Sequence, residues 1–101
     1  MLKTTHIIGV CLLAAGLSGC SDSDFKPAEG MPVDQLFAQA CASCHGDNGE
    51  GKFGFLLSIA GSELSTGEIV QKIRQGGHVM PAFPNISDAE ALAVAEYIKS
   101  Q

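Results

Sequence analysis

A chain of 101 residues with 6 basic and 11 acidic side chains carries a formal net charge of −5 at neutral pH. That length limits it to one small domain with extensions, and a domain of that size usually needs a metal, disulfides or a cofactor to be stable. The acidic balance makes nucleic acid an unlikely partner.

The N-terminal stretch reads as a targeting segment. Met1 to His6 is short and carries Lys3, and Ile7 to Leu17 is an almost unbroken apolar run. The run is shorter than the roughly 20 residues of a membrane span. It closes on Leu17-Ser18-Gly19-Cys20, which resembles the lipobox of bacterial lipoproteins, whose Cys becomes the lipidated first residue. Residues 1–19 are therefore expected to be a lipoprotein signal peptide and Cys20 the lipidation site, which places the protein outside the cytoplasm. It is then lipid-anchored and faces the periplasm or the cell exterior, with the membrane as one partner. The competing readings are an ordinary secretory signal cut at nearby small residues, and a retained anchor. Residues 20–32 follow as a tether, polar and acidic from Ser21 and punctuated by Pro27, Gly30 and Pro32. The domain proper is read as 33–101.

Three helical stretches are predicted in that domain. The first runs from Val33 to about Ala42, with Val33, Leu36, Phe37 and Ala40 at helical spacing and Asp34 at the positive end of the helix dipole. The second opens on Ser65-Thr66-Gly67-Glu68, a Ser-x-x-Glu capping box. Ile69, Val70 and Ile73 form its apolar face, and Gly76-Gly77 stops it. The third opens on a second box, Ser87-Asp88-Ala89-Glu90, and carries Ala91, Val94, Ala95 and Ile98 on one face, with Leu92 and Tyr97 beside it. Gly46 to Gly61 contains five glycines and reads as a loop. The expected fold class is all-α, with three to four short helices and loops around something large and apolar, because helices of about ten residues are marginal alone.

The chemistry concentrates in Cys41-Ala42-Ser43-Cys44-His45. Two Cys about one helical turn apart reach the two vinyl groups of one porphyrin as thioethers, and a His directly after the second Cys lies under the iron. One covalent haem c on Cys41 and Cys44, with His45 as an iron ligand, is the expectation. A zinc site needs further Cys or His at ligand spacing, where only His78 is available. A thioredoxin-like pair needs an αβ context that the pattern lacks, and a structural disulfide has no use for His45. The accounting of four cysteines closes, since Cys11 leaves with the signal and Cys20 takes lipid.

A second axial ligand is expected at Met80, in Gly76-Gly77-His78-Val79-Met80-Pro81-Ala82-Phe83-Pro84. It follows a helix stop and precedes a rigid Pro, which presents the thioether from an extended loop. A lone Met is more often a gap-filler in a core, but a haem needs a partner on its other face and Met31 sits too close before the motif. His78 is the rival, and a His pair lowers the potential relative to His/Met.

The order of helix, Cys-x-x-Cys-His, glycine-rich loop, helix, Met-Pro and a final helix with Tyr near its end resembles the class I c-type cytochromes, in particular the small bacterial monohaem ones. The resemblance covers about Val33 to Gln101. It implies a small cytochrome c fold in which the first and last helices cross, with Phe37 four residues before the first Cys and Ala91, Ala95, Tyr97 and Ile98 across the contact. It departs from the family in the loop after His45. Gly-Pro is frequent there, whereas this chain has Lys52-Phe53-Gly54-Phe55. A carbonyl near Gly54 or Phe55 can still accept the imidazole N–H, and the identity of the acceptor stays open. Phe53, Phe55, Leu56, Leu57, Ile59 and Leu64 are candidates for the haem wall.

The function these readings imply is one-electron transfer between membrane or periplasmic redox protein partners, with no catalytic residues and no small-molecule substrate. The alternatives are a haem enzyme or gas sensor with a labile sixth ligand, for which His78 is the only candidate catalytic His, and a non-redox lipoprotein.

Overall fold

The computed structural model describes residues 24–52, 54 and 57–101. The apolar run 7–17 and Cys20 lie outside these residues, as do Phe53, Phe55 and Leu56. Among the described residues four helices follow one another: α1 (Val33–Ala40), α2 (Ala42–His45), α3 (Thr66–Gln75) and α4 (Asp88–Lys99). Among the described residues there is no strand, and none of the helices is long and apolar enough to cross a membrane.

The first predicted helix differs from expectation at its end. α1 stops at Ala40, and the Cys-x-x-Cys-His segment forms a separate turn rather than the last turn of a longer helix. Cys41 sits at the break with φ −119° and ψ −35°, and its N–H still donates to the Phe37 carbonyl. The chain therefore changes direction at the first Cys of the motif. Beyond the break, Cys44 and His45 return their N–H groups to the Cys41 carbonyl at 3.3 and 3.0 Å, so the motif is a closed turn of its own.

Both capping boxes form. Ser65 Oγ accepts the Glu68 N–H while Glu68 Oε2 accepts the Ser65 N–H, at 3.2 and 2.8 Å. Ser87 and Glu90 repeat the exchange at 3.1 and 3.0 Å. Each box satisfies two backbone donors that the first turn of a helix leaves open. α3 ends at Gly76 with φ 72° and ψ −168°, a region that only glycine occupies freely. Gly46 ends α2 in the same region, at φ 80° and ψ 163°.

α4 is the centre of the packing, with α3 on one side and α1 on the other. Ala91, Val94, Ala95 and Ile98 are all buried, as their spacing predicts, and Leu92 is exposed. Small side chains at Ala91 and Ala95 let neighbouring backbones approach. Phe37 is fully buried, and its ring centroid lies 5.2 Å from that of Tyr97 at 49°. Aromatic pairs in that range are worth about 0.5–1.5 kcal/mol beyond the area they bury. Phe83 and Ile86, from the α3–α4 connection, complete the core.

Polar ties fix the connections. Arg74 at the end of α3 pairs with Asp88 at the start of α4 at 2.9 Å and donates to the Ile86 carbonyl, which closes the base of the 76–86 loop. Lys99 Nζ donates to the Leu64 and Ser62 carbonyls at 2.6 and 3.3 Å, and the Gly61 N–H donates to the Ile98 carbonyl at 3.0 Å. The segment 61–64 is thereby pinned to the end of α4. The C-terminal part of the predicted tether also lies on the domain: Pro27 is buried, Phe25 and Met31 pack against the core, and Asn85 Nδ2 reaches the Asp24 carbonyl at 3.4 Å.

Candidate functional site: an apolar cavity with two facing ligand segments

Residues of α2, α3 and α4 and of the loops between them line a cavity of about 690 Å³, within the range of cofactor pockets. Cys41, Cys44 and His45 lie on its wall, and so do Met80 and Pro81 of the α3–α4 loop. Leu57, Ile59 and Leu64 line it where the glycine-rich loop returns, and Ile69 and Ile73 line it from α3, with Phe83 and Ile98 behind. Three of the six wall candidates are thus placed, and the other three are the residues outside the description. The structure brings Cys41, Cys44, His45 and Met80 to one cavity from segments more than thirty residues apart.

His45 is oriented from behind. Its Nδ1 lies 2.7 Å from the Leu57 carbonyl oxygen. A carbonyl only accepts, so Nδ1 carries the proton and donates, which leaves the Nε2 lone pair available to a metal. The sequence left the acceptor open, near Gly54 or Phe55; in the structure it is Leu57. The reason lies in how the loop folds back. The Gly51 N–H donates to the His45 carbonyl at 2.7 Å, and the Gly49 carbonyl takes the N–H groups of Ile59 and Ala60 at 2.7 and 2.9 Å. This double return brings the 57–60 stretch, rather than the turn at 54–55, up to the imidazole. Sequence reasoning had no signal for that register.

Met80 is half-buried in a bracketed loop. Its carbonyl accepts the Gly77 N–H at 2.9 Å, and the Phe83 N–H donates to the Ile73 carbonyl at 2.9 Å. The bracket depends on Gly76, because a Cβ there would lie 2.7 Å from the Ala82 nitrogen and 2.8 Å from the Met80 oxygen. His78 lines the same cavity but is exposed.

The wall is chemically suited to a large, flat, apolar group. Burial pushes the Cys41 thiol up to about 12, in keeping with an apolar wall. Among the described residues no three His, Cys, Asp or Glu side chains gather as a cluster for a bare metal ion. What the site offers is two thiols one turn apart, an oriented imidazole and a thioether on a separate segment, around apolar space. That donor set fits haem c. Ile69 and Ile73 belong to this wall as well as to the core; their spacing shows an apolar face but not that half of it faces a cofactor.

Fold and site together define a class I c-type cytochrome domain. The model of the family described as cytochrome c oxidase, cbb3-type, subunit III matches residues 28–98, and the chain belongs to that family. It is 29% identical to the cbb3-type cytochrome c oxidase subunit CcoP of Rhodobacter capsulatus, over 99% of this chain and 37% of the relative. It is 34% identical to the corresponding FixP subunit of Azorhizobium caulinodans, over 97% of this chain and 35% of the relative. It is 37% identical to cytochrome c-550 of Bacillus subtilis, over 56% of this chain and 47% of the relative. The chain thus spans about a third to a half of the length of these relatives. No solved structure gives a significant match. As a member of the family the chain binds haem c covalently and is an electron-carrying protein.

Proposed function

We propose that Cys41 and Cys44 form the two thioether bonds, that His45 Nε2 and Met80 Sδ are the axial iron ligands, and that the protein is a dedicated one-electron carrier with both axial positions closed. The observation that carries this reading is the shared cavity: His45, held by the Leu57 carbonyl, and Met80, held by the Gly77–Met80 bracket, line one apolar space with both motif cysteines. The haem supplies a reversible one-electron iron couple when bound. The residues supply everything else. Leu57, Ile59, Ile69 and Ile73 exclude water from the metal face, which favours the less charged reduced state. A thioether opposite an imidazole favours it further and raises the potential. With no open coordination site, the chain has nothing to offer a substrate molecule, and it is a carrier rather than an enzyme.

The partners in this reading are redox proteins of a membrane oxidase system, as the names of the relatives suggest. Lipidation at Cys20 after removal of residues 1–19 anchors the domain to a membrane surface, supported by the Leu17-Ser18-Gly19-Cys20 string. An acylated N-terminal Cys with several chains gives a firm anchor. The lipid is tested by radiolabelled palmitate incorporation into the wild type and Cys20→Ala; equal labelling of both removes the anchor from the proposal.

Carbon monoxide tests the closed iron. The reduced wild-type protein is expected to bind it slowly and incompletely at neutral pH, whereas Met80→Ala binds it rapidly and stoichiometrically and loses the near-infrared sulfur-to-iron band. Rapid stoichiometric binding by the wild type overturns the carrier reading in favour of a sensor or enzyme. An unchanged near-infrared band in Met80→Ala removes Met80 from the ligand set.

A further inference from the structure

The cavity wall contains one permanently cationic side chain. Lys72 lies on α3 three residues after Ile69 and next to Ile73, so all three occupy one face and line the same space. Its ammonium folds over the following turn: a Cβ built on Gly77 would lie 3.4 Å from Lys72 Nζ and 3.7 Å from Cε. The stem therefore runs along apolar wall while the charge stays at the exposed rim. Among the described residues no carboxylate is paired with it. Among the described residues the one ion pair is Arg74 with Asp88, and Lys99 is committed to the Ser62 and Leu64 carbonyls.

Haem c brings two propionate carboxylates into a site whose wall is otherwise apolar, and they lie on the porphyrin edge opposite the vinyl groups that the cysteines consume. A carboxylate at an apolar rim is costly without a charged hydrogen-bond donor. Ser62 is neutral and the motif residues belong to the other edge. We infer that Lys72 is the propionate-binding residue of this domain, and that its charge sets part of the reduction potential. The inference rests on the haem attachment proposed above.

The test uses the purified haem-loaded chain as wild type, Lys72→Gln, Lys72→Arg and Lys26→Gln. Lys26 is exposed and outside the cavity lining, so its removal controls for net charge. Equal haem content and unchanged visible bands are expected in all four. Lys72→Gln alone is expected to shift the redox equilibrium towards the oxidised form, by up to about tenfold, or about 59 mV for one electron. It also moves a propionate carboxylate band in the redox-difference infrared spectrum, and Lys72→Arg restores most of both. An unshifted potential with unshifted carboxylate bands in Lys72→Gln overturns the inference, as does a shift equal to that of Lys26→Gln. Failure of the underlying attachment shows differently: the wild type itself then lacks a covalent haem signal.

Discussion

The two sides of α4 are built from the same kind of residue and close in different ways. Towards α1, Phe37 is fully buried and Tyr97 lies against its ring, with Ala91 and Ala95 also buried on α4. Protein meets protein there and the packing is complete. Towards α3 and the motif turn, Ile69, Ile73 and Ile98 combine buried packing with the wall of a cavity of about 690 Å³. Aliphatic residues on that side have no facing side chains over part of their surface, and the space they enclose is where the cofactor belongs. In the proposed reading one domain has a core made partly of polypeptide and partly of haem. The contrast explains how so short a chain is stable, since burial by the polypeptide alone leaves a domain of this size marginal.

The largest expected effect breaks the haem half. Replacing both Cys41 and Cys44 by Ala is expected to abolish the covalent haem signal in a denaturing gel and to remove the cooperative thermal transition. A small domain has only a few kcal/mol in hand, and an apolar cavity of this size would stand open to water. A cooperative transition like that of the wild type would show that the helices hold without the haem.

The protein half breaks at Phe37. Truncation of a fully buried aromatic to Ala costs about 3–5 kcal/mol, and Phe37→Ala is expected to lower the unfolding free energy by that amount, read as a lower denaturant midpoint, while the optical bands of the remaining folded protein stay in place. A change in the bands with no change in midpoint would reverse the assignment of the two sides.

A smaller effect sharpens the division. Gly76→Ala forces a side chain into backbone space that costs about 1–3 kcal/mol for other residues and presses on the Ala82 nitrogen and the Met80 carbonyl. Its expected signature is faster carbon monoxide binding to the reduced protein with little change in the α1–α4 contact, read by tyrosine fluorescence.

The smallest effect lies at the caps. Ser65→Ala removes the acceptor for the Glu68 N–H and is expected to cost about 1 kcal/mol. Glu68 is held below the usual carboxylate range, first by the Ser65 backbone N–H and then by the Ser65 hydroxyl. A depressed native value means that the contribution is present above the ordinary carboxylate pKa and fades as pH falls through the lowered one. The difference between wild type and Glu68→Gln in chemical denaturation should therefore narrow in acid and be full at neutral pH.

Much of this was legible in residue types because the relevant signals are local. Each Ser-x-x-Glu string became a capping box, since both bonds close within one helical turn. The Ala91, Val94, Ala95 and Ile98 stripe became the buried face of α4 because helical period alone places it. The Cys-x-x-Cys-His spacing announced the cofactor for the same reason. Local pattern misleads where the deciding contact is distant. Nothing in Ala40-Cys41-Ala42 forbids a helix, so the pattern runs the first helix through Cys41, whereas the chain turns there to bring Cys44 and His45 to the cavity. The acceptor for His45 stays open in the sequence, near Gly54 or Phe55, because the loop's return between Gly49 and Ile59–Ala60 has no sequence signature.

By itself, then, the sequence determined the helices, their caps, the pair of motif cysteines with His45, and the family. Periodicity, capping and covalent reach all act within one or two turns of chain. Only the tertiary structure decided which apolar residues meet each other and which are left facing space. It also decided that Leu57 holds the imidazole, that Gly76 shapes the bracket around Met80, and that Lys72 brings a cation to an apolar rim. Those are relations between segments far apart in the chain, and they exist only once α3 and α4 have closed over the cavity.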